Sequence, residues 1–319
     1  MKFIQQAYKG ENSWWAYVIT FALLFLGWQL IGVLPLVIVA FMKAGDIVTF
    51  TEAAQNNFTS LNIDANLYLF LVIFTFIGGL AFLLLGVKAI HKRGIETVFT
   101  SRKKIDWSRF FYAFFVWGII GVGMIVIGYF TEPENFVWNF KPIKFTILVL
   151  VSVLFMPFQT TMEEVLMRGY LMQGFGTWFK NSFVALVLTS TIFGLLHFAN
   201  PEVQKLGMIL MVYYIGTGFL LGILTLMDEG IELSMGFHAA NNIVAAIFVT
   251  TNWTVFQTDA LLVDISEPEV GWEIFAPVFM LYPLVLFIFS KKYNWTDWKG
   301  KLTGRVFKPI EFDEDKFIA

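Results

Sequence analysis

The sequence predicts an all-α polytopic membrane protein, a bundle of about eight transmembrane helices with an intramembrane polar cavity. Of the 319 residues, 57% are hydrophobic and only 14% are charged, whereas soluble domains average about 45–50% apolar and 25% charged residues. The mean hydropathy is +0.69. The absence of cysteine excludes a disulfide scaffold, and the net charge of −2 gives no indication of nucleic-acid binding.

Eight apolar runs are long enough, or nearly so, to cross a bilayer as helices, which takes about 20 residues. A proline or polar residues blur the ends of four of them. In chain order the runs are approximately 15–42, 67–87, 110–130, 144–167, 183–199, 207–227, 233–250 and 273–290. No polar stretch is long enough to form a soluble domain. The sequence therefore predicts one membrane domain over residues 1–319, with a cytoplasmic tail at 291–319.

The distribution of lysine and arginine predicts the orientation, because basic residues concentrate in cytoplasmic connections. With eight spans, 18 of the 22 basic residues fall on the side of the two termini and 4 fall on the other side. Both termini are therefore predicted to lie in the cytoplasm. The connection at 88–109 holds seven of these basic residues. Its stretch Arg102–Arg109 is interpreted as orientation charge rather than as a lipid-headgroup or regulatory site.

Two glutamates stand at the end of the fourth run, where ionisable residues are rare and indicate function. Adjacent residues on a helix point about 100° apart, so Glu163 and Glu164 need different roles. Glu164 and Arg168 are four residues apart on one face, with the acid first, which is the better orientation for an ion pair. This spacing predicts that Arg168 keeps Glu164 ionised and that Glu163 faces a cavity as a general base.

The chain has three histidines, and two of them lie in apolar helices. Phe193 precedes His197 by four residues, so its ring can fix the position of the imidazole. His238 and Asn242 are also four residues apart and share a helix face. Each feature alone is explained by polar contacts between membrane helices. One polar cavity built from the fourth, fifth and seventh runs explains all of them.

These residue types suit a hydrolytic site. A carboxylate and an imidazole can activate water, while a second imidazole and a carboxamide can stabilise an oxyanion. Glu163, His197 and His238 also match a catalytic zinc site with one position open for water. The residue types leave the zinc-dependent and metal-free alternatives open. The sequence contains no Gly-x-Ser-x-Gly, no His-Glu-x-x-His and no cysteine nucleophile.

Three motifs in this order on separate membrane helices resemble the CPBP family. They are Glu-Glu-x-x-x-Arg at 163–168, Phe-x-x-x-His at 193–197 and His-x-x-x-Asn at 238–242. The family includes type II CAAX prenyl proteases (Rce1-like) and bacteriocin-processing or Abi-type membrane peptidases, usually described as metalloproteases. The resemblance implies an eight-helix fold with a catalytic core near 144–250.

The resemblance also implies roles for individual residues. Glu163 and His197 would activate the hydrolytic water, with or without Zn²⁺. His238 and Asn242 would complete the site as oxyanion or ligand contacts, supported by Glu164 and Arg168. The implied substrate is a peptide or membrane protein, cleaved in the bilayer of a bacterial plasma membrane.

Two other functions are compatible with the same residues. Chains of glutamate and histidine also serve as proton relays, so a proton-coupled transporter is one alternative. Transporters often contain internal repeats, and none is evident in this sequence. The second alternative is a catalytically idle, protease-like scaffold that binds membrane proteins.

The expected depths of the site residues constrain the connection after the fourth span. If the fourth and fifth runs were straight helices joined by a short loop, their rise of 1.5 Å per residue would separate Glu163 from His197 in the membrane. We therefore expect the segment 169–182 to form an irregular or amphipathic connection.

Overall fold

The computed structural model of the chain describes residues 2–255 and 257–310. Eight principal helices follow one another through this part of the chain, one for each predicted run. In chain order they are α1 (Trp14–Ala44), α2 (Ala65–Ala89), α3 (Trp107–Thr131), α4 (Pro142–Trp178), α5 (Ser182–Leu196), α6 (Met208–Asp228), α7 (Glu232–Phe248) and α8 (Ile274–Tyr293).

The prediction of an all-α membrane protein is confirmed, whereas the number of eight spans is not. Within the described residues, six helices are long and apolar enough to cross a membrane, namely α1 to α4, α6 and α8. The other two are shorter, with 15 residues in α5 and 17 in α7. His238 lies within α7, and His197 directly follows the last residue of α5. Polar residues at these positions shorten the apolar runs of the two helices.

Short side chains fix where several helices begin. The carboxylate of Asp64 accepts hydrogen bonds from the first backbone N–H groups of α2, and Asp106 does the same for α3. The side chain of Asn181 caps α5 in the same way. Aspartate and asparagine are favoured there because they satisfy N–H groups that have no partner inside the helix.

Helix α7 packs closely between α3 and α4 in the centre of the bundle. Gly236 permits the approach to α3, because a Cβ atom at this position would lie 2.1 Å from the backbone oxygen of Phe110. Nearby, the rings of Trp117 and Phe237 stack with centroids 4.3 Å apart. This contact holds the polar face of α7 in a fixed rotation against its neighbours.

Helix α4 is irregular directly after the adjacent glutamates. Residues Val165–Leu171 are π-helical, and the chain then continues as an α-helix, Met172–Trp178. The segment 169–182, expected to be an irregular or amphipathic connection, is therefore not a plain short loop: it starts within the π-helical stretch, and most of it continues α4 as a regular helix. Gly169 lies against the backbone oxygen of Val98, only 2.1 Å from where its Cβ would be, so this stretch is packed against protein.

A small sheet covers one end of the bundle. Its strands are β1 (Phe136–Trp138), β2 (Val249–Thr250) and β3 (Leu262–Asp264), in the order β1–β3–β2. Strand β3 is antiparallel to β1, with Phe136 opposite Asp264, and parallel to β2. The other described elements are short helices: Ile4–Lys9, Ile47–Ala54, Thr59–Leu61, Ile95–Val98, Pro133–Asn135, Pro201–Leu206 and Trp298–Thr303.

Candidate active site

Glu164 and Arg168 form a fully buried ion pair on α4. Arg168 Nη1 lies 3.0 Å from Glu164 Oε1, and neither side chain is exposed. Arg168 Nη2 also donates to the backbone oxygen of Gly218 at 3.2 Å. The guanidinium carbon lies 4.4 Å from the ring centroid of Phe193, a cation–π contact. The arginine is thereby held by three helices, and its pairing with Glu164 is the one that the i,i+4 spacing led us to expect.

His238 contacts both adjacent glutamates. Its Nδ1 lies 2.9 Å from Glu164 Oε1, and its Nε2 lies 3.7 Å from Glu163 Oε2. An ionised carboxylate only accepts hydrogen bonds, so Nδ1 carries the proton that is donated to Glu164. In the neutral imidazole, Nε2 is then an acceptor that faces a second acceptor on Glu163.

Glu163 is the more accessible of the two acids, with 19% of its side chain exposed. Its Oε1 accepts a hydrogen bond from the Gln159 side chain, one turn earlier on α4. Gln159 in turn accepts from Asn242 Nδ2 at 3.0 Å. Asn242 is therefore joined to Glu163 through Gln159, which the sequence motifs did not indicate.

His197 lies directly after the last residue of α5. Its Nδ1 donates to the backbone oxygen of Phe193 at 2.8 Å, which leaves Nε2 as the acceptor in the neutral ring. The contacts of the described residues do not join His197 to Glu163. The Phe193 ring packs against both imidazoles, with centroids 4.8 Å from His197 and 5.8 Å from His238.

A second group of residues that sequence reasoning missed surrounds His197. The ring of Tyr214 stacks on the imidazole with centroids 4.5 Å apart. The Tyr214 hydroxyl donates to Glu202 Oε1 at 2.5 Å, and Asn200 Nδ2 lies 3.2 Å from the same oxygen. The only signal in the sequence was an acid beside a proline, Pro201-Glu202, which is common in loops.

The predicted metal ligands do not form a set in this structure. Among the residues described, no three histidine, aspartate or glutamate side chains gather closely enough to hold a metal ion. Of Glu163, His197 and His238, only the first and third are in contact, and His238 Nδ1 is already bonded to Glu164. These residues do not fit a three-ligand zinc site in this arrangement. Zinc binding stays a prediction from the sequence, and no step of the proposed reaction depends on it.

Comparisons with known proteins include the part of the chain that carries these residues. Residues 142–244 match the family model described as type II CAAX prenyl endopeptidase, Rce1-like. The chain is also 29% identical over 276 residues to the uncharacterised protein YyaK of Bacillus subtilis (strain 168), covering 84% of this chain and 88% of that protein. No solved structure matches. The resemblance predicted from the three motifs is thus confirmed: over residues 142–244 this chain is similar to the Rce1-like endopeptidase family.

Proposed function

We propose that this protein is an intramembrane endopeptidase that hydrolyses a peptide bond of a membrane-associated protein or peptide. The matched family model is described as an endopeptidase, and six described helices are suited to a bilayer. We further propose that it lies in a bacterial plasma membrane with both termini in the cytoplasm. The distribution of basic residues, 18 on that side and 4 on the other, supports this orientation.

The observation that carries the proposal is the gap between Glu163 Oε2 and His238 Nε2. These two acceptors lie 3.7 Å apart, too far for a direct hydrogen bond. A water molecule about 2.8 Å from each would donate one hydrogen to the carboxylate and one to the imidazole. Such a water is oriented and polarised by a base, as hydrolysis requires.

In the proposed reaction, the oxygen of this water attacks the carbonyl carbon of the scissile bond. Glu163 Oε2 takes one proton from the water as the new C–O bond forms, and the carbonyl oxygen becomes an oxyanion. Glu163 then gives that proton to the amide nitrogen as the C–N bond breaks. The products are a carboxylic acid, which loses its proton to solvent, and an amine.

The remaining residues have supporting roles in this proposal. Glu164 fixes the tautomer of His238 by accepting its Nδ1 proton, and Arg168 holds Glu164 in place. His197, whose Nε2 is free to accept, is proposed as the second imidazole of the site because it packs on the same Phe193 ring. Zinc binding by Glu163, His197 and His238 remains a prediction that metal analysis of the purified protein tests.

The proposal is tested by substituting the base. The wild-type protein and a Glu163→Gln variant are expressed in bacterial membranes, and new protein N-termini are identified by mass spectrometry. We expect a set of cleavage products that depends on Glu163, because the side-chain amide of glutamine cannot take a proton from the attacking water. A variant of an exposed glutamate, Glu52→Gln, is the matched control and should retain them. Identical N-termini in wild type and Glu163→Gln would reject the peptidase and favour the scaffold or transporter.

A further inference from the structure

Five side chains on three helices form a continuous chain of hydrogen bonds that ends on Glu163. Trp117 Nε1 on α3 donates to Asn241 Oδ1 at 3.1 Å, and Asn241 Nδ2 donates to Asn242 Oδ1 at 3.2 Å. Asn242 Nδ2 donates to Gln159 Oε1 at 3.0 Å, and Gln159 Nε2 donates to Glu163 Oε1. Four hydrogen bonds therefore separate the indole from the carboxylate.

The indole fixes the direction of the whole chain. An indole N–H can only donate, so Asn241 must turn its oxygen towards Trp117 and its nitrogen towards Asn242. The same constraint passes through each carboxamide in turn, and Gln159 is left with only its N–H groups for Glu163. Tyr213 also hydrogen-bonds Asn241, but a hydroxyl can donate or accept and therefore does not set the direction.

We propose that Trp117, Asn241 and Gln159 are positioning residues that keep the transferred proton on the reactive oxygen of Glu163. This inference rests on the proposed function for its kinetic consequence. While Glu163 is ionised, the carboxylate itself requires a donor from Gln159. Once Glu163 has taken a proton from water, the carboxylate no longer requires a donor. The N–H of Trp117 then still prevents the side-chain amides from rotating by 180° and exchanging their oxygen and nitrogen atoms. Gln159 therefore continues to donate to Oε1, and the proton stays on Oε2, where the leaving amine nitrogen can receive it.

The packing of Trp117 allows a substitution that removes the indole N–H and keeps the contacts of the ring. The side chain is 6% exposed and stacks on Phe237 with centroids 4.3 Å apart, a contact that phenylalanine can retain. Trp28 offers a matched control, because its Nε1 donates to Thr75 Oγ1 at 3.2 Å and it packs beside Phe76. Trp28→Phe therefore loses a comparable hydrogen bond that does not lead to Glu163.

The kinetic test compares two substrates of one sequence, taken from the cleavage site identified by N-terminal analysis. One is a peptide with an ordinary amide at the scissile position, and the other carries a 4-nitrophenyl ester there. The ester's leaving group departs as an anion and needs no proton. Trp117→Phe should lower kcat for the amide about three- to tenfold, the kinetic equivalent of one neutral hydrogen bond. KM for both substrates and kcat for the ester should not change, and Trp28→Phe should change none of these constants.

Equal losses on the amide and the ester would overturn the proposal, because they would indicate a general disturbance of the site. No effect on either substrate would overturn it as well. If the wild type cleaves neither substrate, the proposed function fails. In that case the direction of the chain is still decided by a melting experiment that needs no activity.

The melting experiment reverses the chain by introducing a carboxylate at position 241, next to Trp117, and then removing the one at position 163. In Asn241→Asp, the new carboxylate can only accept hydrogen bonds. The side-chain amides of Asn242 and Gln159 should therefore rotate by 180°, so that Gln159 presents its oxygen to Glu163. We expect this conflict to lower Tm by about 4 °C or more. Adding Glu163→Gln should restore Tm, because the carboxamide introduced at position 163 can donate to Gln159 and every group of the reversed chain has a partner.

Simple relief of repulsion between the carboxylates at positions 241 and 163 would also restore Tm, and a third substitution separates the two explanations. Gln159→Leu breaks the chain but leaves both charges in place. The restoring effect of Glu163→Gln should disappear in this background. A restoration that persists without Gln159, or an Asn241→Asp variant that melts like the wild type, would show that the chain does not connect these sites.

Discussion

Glu163 and Glu164 are adjacent in the chain but occupy different environments. Glu164 is completely buried and contacts Arg168 and His238, whereas Glu163 remains 19% exposed. Their side chains diverge because successive residues on a helix point about 100° apart. Glu164 is therefore held inside an ion pair, whereas the carboxylate of Glu163 stays accessible.

This division predicts different effects of the two amide substitutions. In Glu164→Gln, Arg168 loses the carboxylate that it contacts in a fully buried place. Breaking such a buried pair costs about 3–5 kcal/mol, so Tm in detergent should fall markedly. Glu163→Gln should melt close to the wild type, because its carboxylate is partly exposed. Similar melting of the two variants would contradict the assignment.

His91, just after α2, predicts how stability depends on pH. It is 1% exposed, its Nδ1 lies 2.6 Å from the backbone oxygen of Glu11, and its Nε2 lies 2.8 Å from the Tyr170 hydroxyl. Burial lowers the pKa of His91 from 6.5 to about 4, and the nearby charge of Arg93 also lowers this pKa. The unfolded chain then takes up a proton between these pH values and the folded chain does not, so stability is lost as pH falls through that window.

We therefore expect Tm of the wild type to fall between about pH 7 and about pH 5, within the range in which an ordinary histidine becomes protonated. His91→Gln lowers Tm at neutral pH but removes this titrating group, so its Tm should fall less over the same interval. An equal acid-induced fall in both proteins would assign the effect to other groups.

The sequence indicated which residues share a helix and which helices contribute polar residues to one cavity, but not most of the individual contacts between helices. The Glu164–Arg168 pair was predictable because the two residues are one turn apart on α4. The contact of Asn242 with Gln159 joins α7 to α4, and that of Tyr214 with His197 joins α6 to the end of α5. Such contacts depend on helix rotation and crossing, which apolar periodicity in lipid specifies weakly because lipid-facing and buried positions are both hydrophobic.

At the scale of the helices, the close approach of α3 and α7 determines where the site residues lie. Gly236 is two residues before His238, and its position leaves no space for a side chain beside Phe110. Small residues are typical where membrane helices approach closely, since packing rather than hydrophobic burial holds them together. The rotation of α7 that brings His238 to the glutamates therefore depends on this glycine.

Gly236→Ala should accordingly lower both Tm and peptidase activity, because the added Cβ would displace α7 from α3. Gly123→Ala is the matched control on α3, as nothing lies within 4 Å of its Cβ position. That substitution should leave activity unchanged and, through the higher helix propensity of alanine, should not lower Tm. Equal effects of the two substitutions would show that the contact at Phe110 does not determine the site.

Apolar runs located every principal helix, but not the small sheet at one end of the bundle. Its strands have two or three residues each, too few for an alternating pattern to be recognisable. Strand β1 also pairs with a segment more than 100 residues later in the chain. The π-helical stretch of α4 was likewise unpredictable, because its sequence, VLMRGYL, has the composition of an ordinary helix.

At the scale of the whole molecule, opposite ends of the bundle carry different ionic contacts. At one end, Arg102 contacts Asp228 at 2.9 Å and Glu232 at 3.1 Å, and Arg109 also pairs with Asp228. These pairs join the start of α3 to the end of α6 and the start of α7. Part of the basic connection at 88–109 therefore has a structural role, while Lys103 and Lys104 remain exposed and contribute to orientation.

At the opposite end, Asp259 lies 3.6 Å from Lys141 and 3.5 Å from Lys144, and Lys144 lies 3.6 Å from Asp64. These lysines are two of the four basic residues on the predicted outer side, and acids partly offset the charge of both. Acids therefore pair with basic residues at both ends of the bundle, so these contacts do not distinguish the two sides. The predicted orientation rests on the number of basic residues on each side, 18 against 4.

The orientation can be measured directly, because the chain contains no cysteine and each introduced cysteine is the only target of a thiol reagent. Lys104, Thr303 and Thr59 are positions at which to introduce one. In intact cells, a membrane-impermeant maleimide should label Thr59→Cys, on the predicted outer side, and leave Lys104→Cys and Thr303→Cys unlabelled. All three should react after permeabilisation, which controls for local accessibility. Labelling of Lys104→Cys and Thr303→Cys in intact cells, with protection of Thr59→Cys, would reverse the orientation and place the basic end outside.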